Sequence, residues 1–118
     1  MTALLERGAL DMLKPLVIET KDRVQYNIVQ ALCRAAGAQN EREVRKFAAE
    51  MAVFVLKNPS TDLFALNGLL HGVRSLGADG AAILPLLKAM KLEDANTAWT
   101  LAETIAELEA KVAAAERT

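Results

Sequence analysis

The feature that most constrains this chain is a helical spacing of apolar side chains that recurs in almost every segment. Apolar residues fall three or four positions apart in four sets: Val24, Ile28, Val29, Leu32, Cys33 and Ala36; Val44, Phe47, Ala48, Met51 and Val55; Leu63, Leu66, Leu69, Leu70 and Val73; and Leu101, Ile105, Leu108 and Val112. This spacing is typical of one face of an α-helix, and no segment alternates with the period of two expected of a half-buried strand. The sequence therefore predicts an all-α fold.

The bulk composition fits one folded domain spanning residues 1–118. Hydrophobic residues make up 53% of the chain and charged residues 25%, a balance typical of globular proteins and not of disordered ones. The apolar runs are too short to cross a bilayer, and the first residues do not resemble a secretory signal peptide. We therefore expect no membrane association and a cytoplasmic protein.

The predicted helices show an internal repeat. Asp22, Asp62 and Asp94 each precede a helix of similar pattern, and a glycine, Gly37 or Gly77, lies at the same distance after the first two of them. Glycine adopts the left-handed conformation that commonly ends a helix, so we expect both glycines to end helices. A further glycine, Gly68, lies inside a helical pattern, where it would let a neighbouring helix approach closely. A short helix is predicted from Asp79-Gly80 through Met90, in which Pro85 lies early enough to be tolerated or to shift the true start.

A proline-containing element occurs twice, as Leu13-Lys14-Pro15-Leu16-Val17 and as Ile83-Leu84-Pro85-Leu86-Leu87. The second copy is followed by a turn at Glu93-Asp94 and by the segment Leu101-Ala102-Glu103-Thr104-Ile105-Ala106-Glu107-Leu108. This order resembles a HEAT-type repeat, in which a helix with a Leu-Pro-Leu-Leu element turns at an Asp into a second, Ala-rich helix. The middle unit departs from the pattern because its first helix, residues 41–57, lacks the proline.

The resemblance implies a short HEAT-like solenoid of about five to six helices, arranged as three stacked antiparallel helix pairs. The corresponding units are residues 3–38, 41–78 and 80–115. The same amphipathic patterns also suit a compact helical bundle, which is the alternative fold.

A candidate binding surface follows from the repeat. If the second helices stack side by side, equivalent residues form ladders across the stack. The predicted partner-binding residues are Asn27, Gln30, Arg34, Asn67, His71, Arg74 and Trp99. Trp and Arg anchor many interfaces, and guanidinium groups bind carboxylates bidentately. HEAT arrays usually bind partners on their second helices, so the resemblance implies the same surface. The alternative is that Trp99 fills the core and that the two arginines are solvated or interact with helix ends.

Side chains suited to catalysis or metal binding are sparse. The single histidine, His71, and the single cysteine, Cys33, are too few for a structural zinc site, and the glycines form no phosphate-binding loop. We interpret Cys33 as a small core residue. Glu103 and Glu107 are interpreted as part of a solvated face, where Glu107 pairs with Lys111 one helical turn away. We expect no catalytic residue, no metal and no cofactor.

These observations favour a small protein–protein interaction module, such as an adaptor, inhibitor or assembly factor, that binds a protein or peptide on its second helices. The net charge is −1 and the basic residues are scattered, which argues against a nucleic-acid partner. Two alternatives stay open: a nucleic-acid-binding HEAT-like protein that uses cations such as Arg34 and Arg74, and a small-ligand or enzymatic pocket that uses His71 and Glu103. A homodimer formed through the apolar first or last helix is a further possibility.

Overall fold

The computed structural model describes residues 7–39, 42–57 and 62–116. Its helices are α1 (Arg7–Glu19), α2 (Asp22–Gln39), α3 (Arg42–Leu56), α4 (Leu63–Val73), a 3-10 segment (Arg74–Ile83), α5 (Leu84–Ala89) and α6 (Ala95–Glu116). No strand occurs in these three ranges, so the all-α prediction is confirmed. No helix within them is both long enough and apolar enough to cross a membrane. The predicted unit boundaries at residues 3 and 41 lie outside the described residues.

The repeated aspartates do begin helices. Asp62 is the N-cap of α4 and its Oδ1 accepts hydrogen bonds from the backbone N–H groups of Phe64 (3.1 Å) and Ala65 (3.2 Å). Before α6, Asp94 Oδ2 accepts from both the backbone N–H and the hydroxyl of Thr97, at 2.9 Å each. Such side-chain bonds satisfy N–H groups that the first turn of a helix leaves without partners. The acidic part of the repeat therefore has a structural role at these two sites.

The two repeated glycines serve different purposes. Gly77 has a φ of +58° and interrupts the 3-10 segment, so the prediction of a left-handed residue there is confirmed, although α4 itself ends earlier, at Val73. The prediction for Gly37 is wrong, because α2 continues to Gln39. A Cβ atom at Gly37 would lie only 2.4 Å from the carbonyl oxygen of Ser75. Gly37 is therefore needed for a close approach between two stretches of backbone.

The two prolines occupy different helical positions. α1 contains Pro15 and continues to Glu19. Pro85 lies in the first turn of α5, where the lack of an N–H group costs nothing and the fixed φ favours the helix. The helix predicted to start at Asp79-Gly80 is therefore wrong at its beginning, since both residues belong to the 3-10 segment and α5 starts at Leu84.

The core lies where the helices meet. α4 packs between α2 and α6, α3 packs on α2 and on the 3-10 segment, α1 contacts α2 and α3, and α5 contacts the 3-10 segment and α6. Most of the apolar residues predicted to be buried are buried; Val24 and Leu63 are exceptions, with 58% and 41% of their surface exposed. The largest fully buried side chains are Tyr26, Leu66, Leu69, Leu70, Leu76, Ile83, Leu87 and Leu108.

Candidate partner-binding surface

The solvent-facing sides of α2, α4 and α6 form the candidate surface, which we call the outer face. It comprises Val24, Asn27, Ala31 and Arg34 of α2, Phe64, Asn67 and His71 of α4, and Trp99 and Glu103 of α6. On each helix these residues lie opposite the buried ones, as at α4, where Leu66, Leu69 and Val73 are fully buried. Since α4 packs between α2 and α6, the three sides adjoin.

α2 and α4 run in the same direction. Near their beginnings, Arg23 Nη2 lies 2.9 Å from Asp62 Oδ2, and near their ends Gly37 meets Ser75. The hydrogen bond from Arg23, with those from the backbone N–H groups of α4, holds the pKa of Asp62 below its usual range. The hydrogen bonds from Thr97 likewise lower the pKa of Asp94.

The contact between α2 and α4 depends on glycine. A Cβ atom at Gly68 would lie 2.7 Å from Gln30 Oε1, and one at Gly72 would lie 3.2 Å from the backbone oxygen of Gln30. The close approach predicted for Gly68 is therefore confirmed. The Gln30 side chain lies against this glycine surface and is half-buried.

Three predicted site residues, Asn27, Arg34 and His71, are exposed, and Asn67 is half-buried. Arg34 and His71 make no hydrogen bond or ion pair with the described residues. Gln30, which the ladder places on the same surface, is half-buried instead, because its side chain packs against Gly68 and Gly72 of α4.

Arg74 differs from Arg34, although the two share a repeat register. Arg74 Nε donates to Thr104 Oγ1 (3.0 Å) and Nη2 donates to the carbonyl oxygen of Thr100 (3.3 Å). Thr104 Oγ1 also lies within hydrogen-bonding distance of the carbonyl oxygens of Leu70 (3.2 Å) and Thr100 (2.8 Å). Arg74 is thus held against α6, and this contact links α4 to α6.

Trp99 is on the surface, with 64% of its area exposed, so the alternative that placed it in the core is wrong. Sequence reasoning missed a second exposed aromatic residue, Phe64, which is 81% exposed. The guanidinium carbon of Arg23 lies 5.8 Å from the centre of the Phe64 ring, a distance typical of a cation–π contact. One feature of the sequence could have indicated that Phe64 is exposed: it falls outside the set of apolar residues that are spaced along one face of α4.

The metal-ligating side chains of the described residues are dispersed, and the single thiol is buried. No three His, Cys, Asp or Glu side chains among them lie close enough together to hold a metal ion. Cys33 is fully buried, and burial raises the pKa of its thiol to about 12. The core interpretation of Cys33 is confirmed, and the thiol is a poor nucleophile in the folded protein.

Two cavities lie away from the outer face. One, of about 530 Å³, lies between α3 and the 3-10 segment and is lined mainly by alanines, with Lys46, Glu50 and Asp79 at its polar positions. Asp79 Oδ2 is already bound by Arg45 Nε at 2.7 Å. The other, of about 350 Å³, lies between the end of α3 and α5 and has mostly apolar walls. Neither cavity includes His71 or Glu103, the residues of the predicted enzymatic alternative.

Comparison with known proteins gives no further assignment: no protein-family model, no curated protein and no solved structure matches this chain.

Proposed function

We propose that this chain is a small protein-binding module whose partner lies on the outer face. The observation that carries the proposal is the exposure of two large aromatic side chains, Phe64 and Trp99, on adjacent helices of that face. Aromatic side chains at the centre of an interface contribute much of its binding energy. Full burial of one such side chain contributes about 2 kcal/mol relative to leaving it in water.

The parallel packing of α2, α4 and α6 supports the HEAT-like arrangement that we propose for this module. Consecutive second helices of a helical-repeat stack run in the same direction. α4 and α6 meet in that order, since Thr104 Oγ1 bonds to the carbonyl oxygen of Leu70 and Lys111 Nζ, further along α6, donates to that of Arg74. In this arrangement the outer face is one continuous surface that a partner segment can cross.

Site-specific photo-cross-linking in cells tests the proposal. A photoreactive amino acid is placed at Asn27 or Trp99 on the outer face, and at Ala82 as a control. Ala82 is exposed and lines the cavity beside α3, so it samples a different surface. We expect one protein to be cross-linked from positions 27 and 99 and not from position 82. Cross-linking from position 82 alone would move the site to that cavity, and the lack of any specific adduct from positions 27 and 99 would contradict the proposal.

Self-association is a second candidate, because α1 also exposes apolar side chains. Met12 is 77% exposed and Leu16 is 46% exposed. Sedimentation over a range of concentrations tests this use of α1: a dimer that is lost in the Met12→Glu variant supports it, and a monomer at every concentration contradicts it.

A further inference from the structure

The smaller of the two cavities lies where the end of α3 meets α5 and the chain that follows α5. α5 is only six residues long, and at its C-cap, Met90, the backbone becomes extended. Residues 90–92 therefore line the cavity in place of a further helical turn. The volume, about 350 Å³, lies within the range of roughly 300–1,000 Å³ that is typical of small-molecule sites.

The walls of this cavity are apolar. They are formed by Leu56, Leu86, Ala89, Met90 and Leu92. Leu56 is buried, whereas Leu86, Met90 and Leu92 are half-buried and keep part of their apolar surface in water. Covering such surface with an aliphatic chain is favourable, because apolar area is removed from water. The cavity therefore suits an apolar chain.

The polar residues that line the cavity are both lysines, Lys57 and Lys91. Both are exposed, and neither makes a hydrogen bond or ion pair with the described residues. Lys88 of α5 differs, because its Nζ lies 2.8 Å from Glu109 Oε2 of α6. None of the described residues that line the cavity is acidic. The cavity thus combines apolar walls with two positive charges that no carboxylate of the described chain neutralises.

The position of the two lysines beside helix ends suggests another role. Lysines there often bond to the last carbonyl groups of a helix, as Lys111 Nζ does with the carbonyl oxygen of Arg74 (3.4 Å). Lys57 and Lys91 make no such bond with the described residues. A lysine carries its ammonium group on a flexible four-carbon stem, so it can meet an anion beyond the helix end.

We propose that this cavity binds a small aliphatic carboxylate, with the chain against the apolar walls and the carboxylate paired with Lys57 and Lys91. A carboxylate suits the position better than a phosphate, because phosphate sites generally use helix N-termini, whereas α3 and α5 meet the cavity with their C-terminal ends. The cavity lies away from the outer face, so this inference goes beyond the proposed function and does not depend on it.

Titration of the isotopically labelled protein with octanoate, followed by the NMR shifts of its amides, tests the inference. We expect saturable shifts centred on residues 56–57 and 86–92. Hexanoate and butanoate should bind more weakly, by about fourfold for each methylene group removed, because less apolar surface is buried. Octylamine has the same chain with a cationic head, and it should not shift these amides at the concentrations at which octanoate does.

Charge reversal tests the two lysines. The double variant Lys57→Glu, Lys91→Glu should bind octanoate at least about tenfold more weakly than the wild type and should bind octylamine instead. Both side chains are exposed, and thermal unfolding checks that the variant folds. The matched control is the double variant Lys14→Glu, Lys46→Glu, which makes the same charge change at exposed positions of α1 and α3 and should bind octanoate normally. Lys46 lines the larger cavity, so this control also detects binding there.

Filling the cavity tests the apolar part of the site. Ala89 is exposed and lines the cavity, so Ala89→Phe should weaken octanoate binding without unfolding the protein. Shifts that do not saturate, shifts centred on the larger cavity or on the outer face, or an octanoate affinity that neither the charge reversal nor Ala89→Phe changes would each overturn the inference. Cross-linking of a partner from positions 27 and 99 is independent of these outcomes, so their failure leaves the proposed function standing.

Discussion

α4 meets α2 and α6 through two boundaries of different chemistry. Toward α2, Gly68 and Gly72 let the helices approach, and the Gln30 side chain that lies over them makes no hydrogen bond with another described residue. Toward α6, the hydroxyl of Thr104 bonds across the boundary to the backbone of α4 and accepts from Arg74. The first boundary therefore depends on close packing over glycine, whereas the second depends on side-chain hydrogen bonds. The contrast shows that equal positions in a repeat can serve different purposes: Arg34 makes no hydrogen bond or ion pair with the described residues, whereas Arg74 is hydrogen-bonded to α6.

The largest expected effect concerns the approach of α2 to the segment that follows α4. Gly37→Ala should lower the free energy of unfolding by about 3 kcal/mol, because the new Cβ atom would meet a backbone oxygen that cannot move alone. Urea denaturation measures the change. Gly68→Ala is the control, since its Cβ atom meets only the flexible end of Gln30, and it should cost less than about 1 kcal/mol. Equal losses in the two variants would show that the backbone contact at Gly37 is not decisive.

The α4–α6 boundary should be sensitive to one hydroxyl group. Thr104→Val keeps the shape of a fully buried side chain and removes the acceptor for Arg74 Nε, so we expect a loss of about 2 kcal/mol of stability. Comparing this variant with Arg74→Ala and with the double variant gives the coupling energy between the two side chains. Additive effects would mean that the hydrogen bond contributes nothing to stability. Arg34→Ala, at the equivalent repeat position, should change stability by less than about 0.5 kcal/mol.

The ion pair that joins α2 to α4 makes part of the stability dependent on pH. The pKa of Asp62 is lowered by its bonds to Arg23 and to the backbone of α4. The stabilisation from a group with a lowered pKa is fully present above its unfolded pKa, near 4, and is lost as the pH falls through the folded pKa. The melting temperature should therefore drop more steeply below about pH 4 in the wild type than in Asp62→Asn. Parallel curves for the two proteins would refute this role of Asp62.

The smallest expected effect belongs to the outer face. Trp99→Ala should change the free energy of unfolding by less than about 0.5 kcal/mol, since most of the side chain is exposed. Its indole fluorescence is the only tryptophan signal of the chain, and its emission maximum should lie near that of a solvated indole. A loss of several kcal/mol, or a strongly blue-shifted emission, would place Trp99 in a buried environment instead.

Most of the local structure was predictable from short-range patterns. The aspartates before α4 and α6, the left-handed Gly77, the buried Cys33 and the close approach at Gly68 all follow from residue chemistry that depends on neighbouring positions. The predicted pair of Glu107 and Lys111 is also present, at 3.6 Å. The HEAT-like arrangement, the partner and the cytoplasmic location stay predictions.

The misses have a common cause. Gly37 has the sequence context of a helix end. The structure requires a glycine there for another reason, which is the close approach of Ser75, a residue distant in the chain. Arg74 and Arg34 share a register, yet their neighbours differ. A hydroxyl and a carbonyl of α6 accept from Arg74, whereas none of the described residues bonds to Arg34. Phe64 stands outside the apolar stripe of α4, but the side of the helix that solvent reaches depends on where α2 and α6 pack.

Helix formation, the positions of the N-caps and the identity of the core stripe depend on backbone hydrogen bonding and on spacing within one turn, and these can be read along the chain. Whether a polar residue finds a hydrogen-bond partner, and whether a glycine is needed for close packing, depends instead on the atoms that tertiary packing brings near it. Tertiary contacts placed Thr104 beside Arg74 and the Gln30 side chain over Gly68. A sequence pattern shows how far apart two residues are along the chain, whereas the burial and the hydrogen-bond partners of a residue depend on which atoms are near it in space.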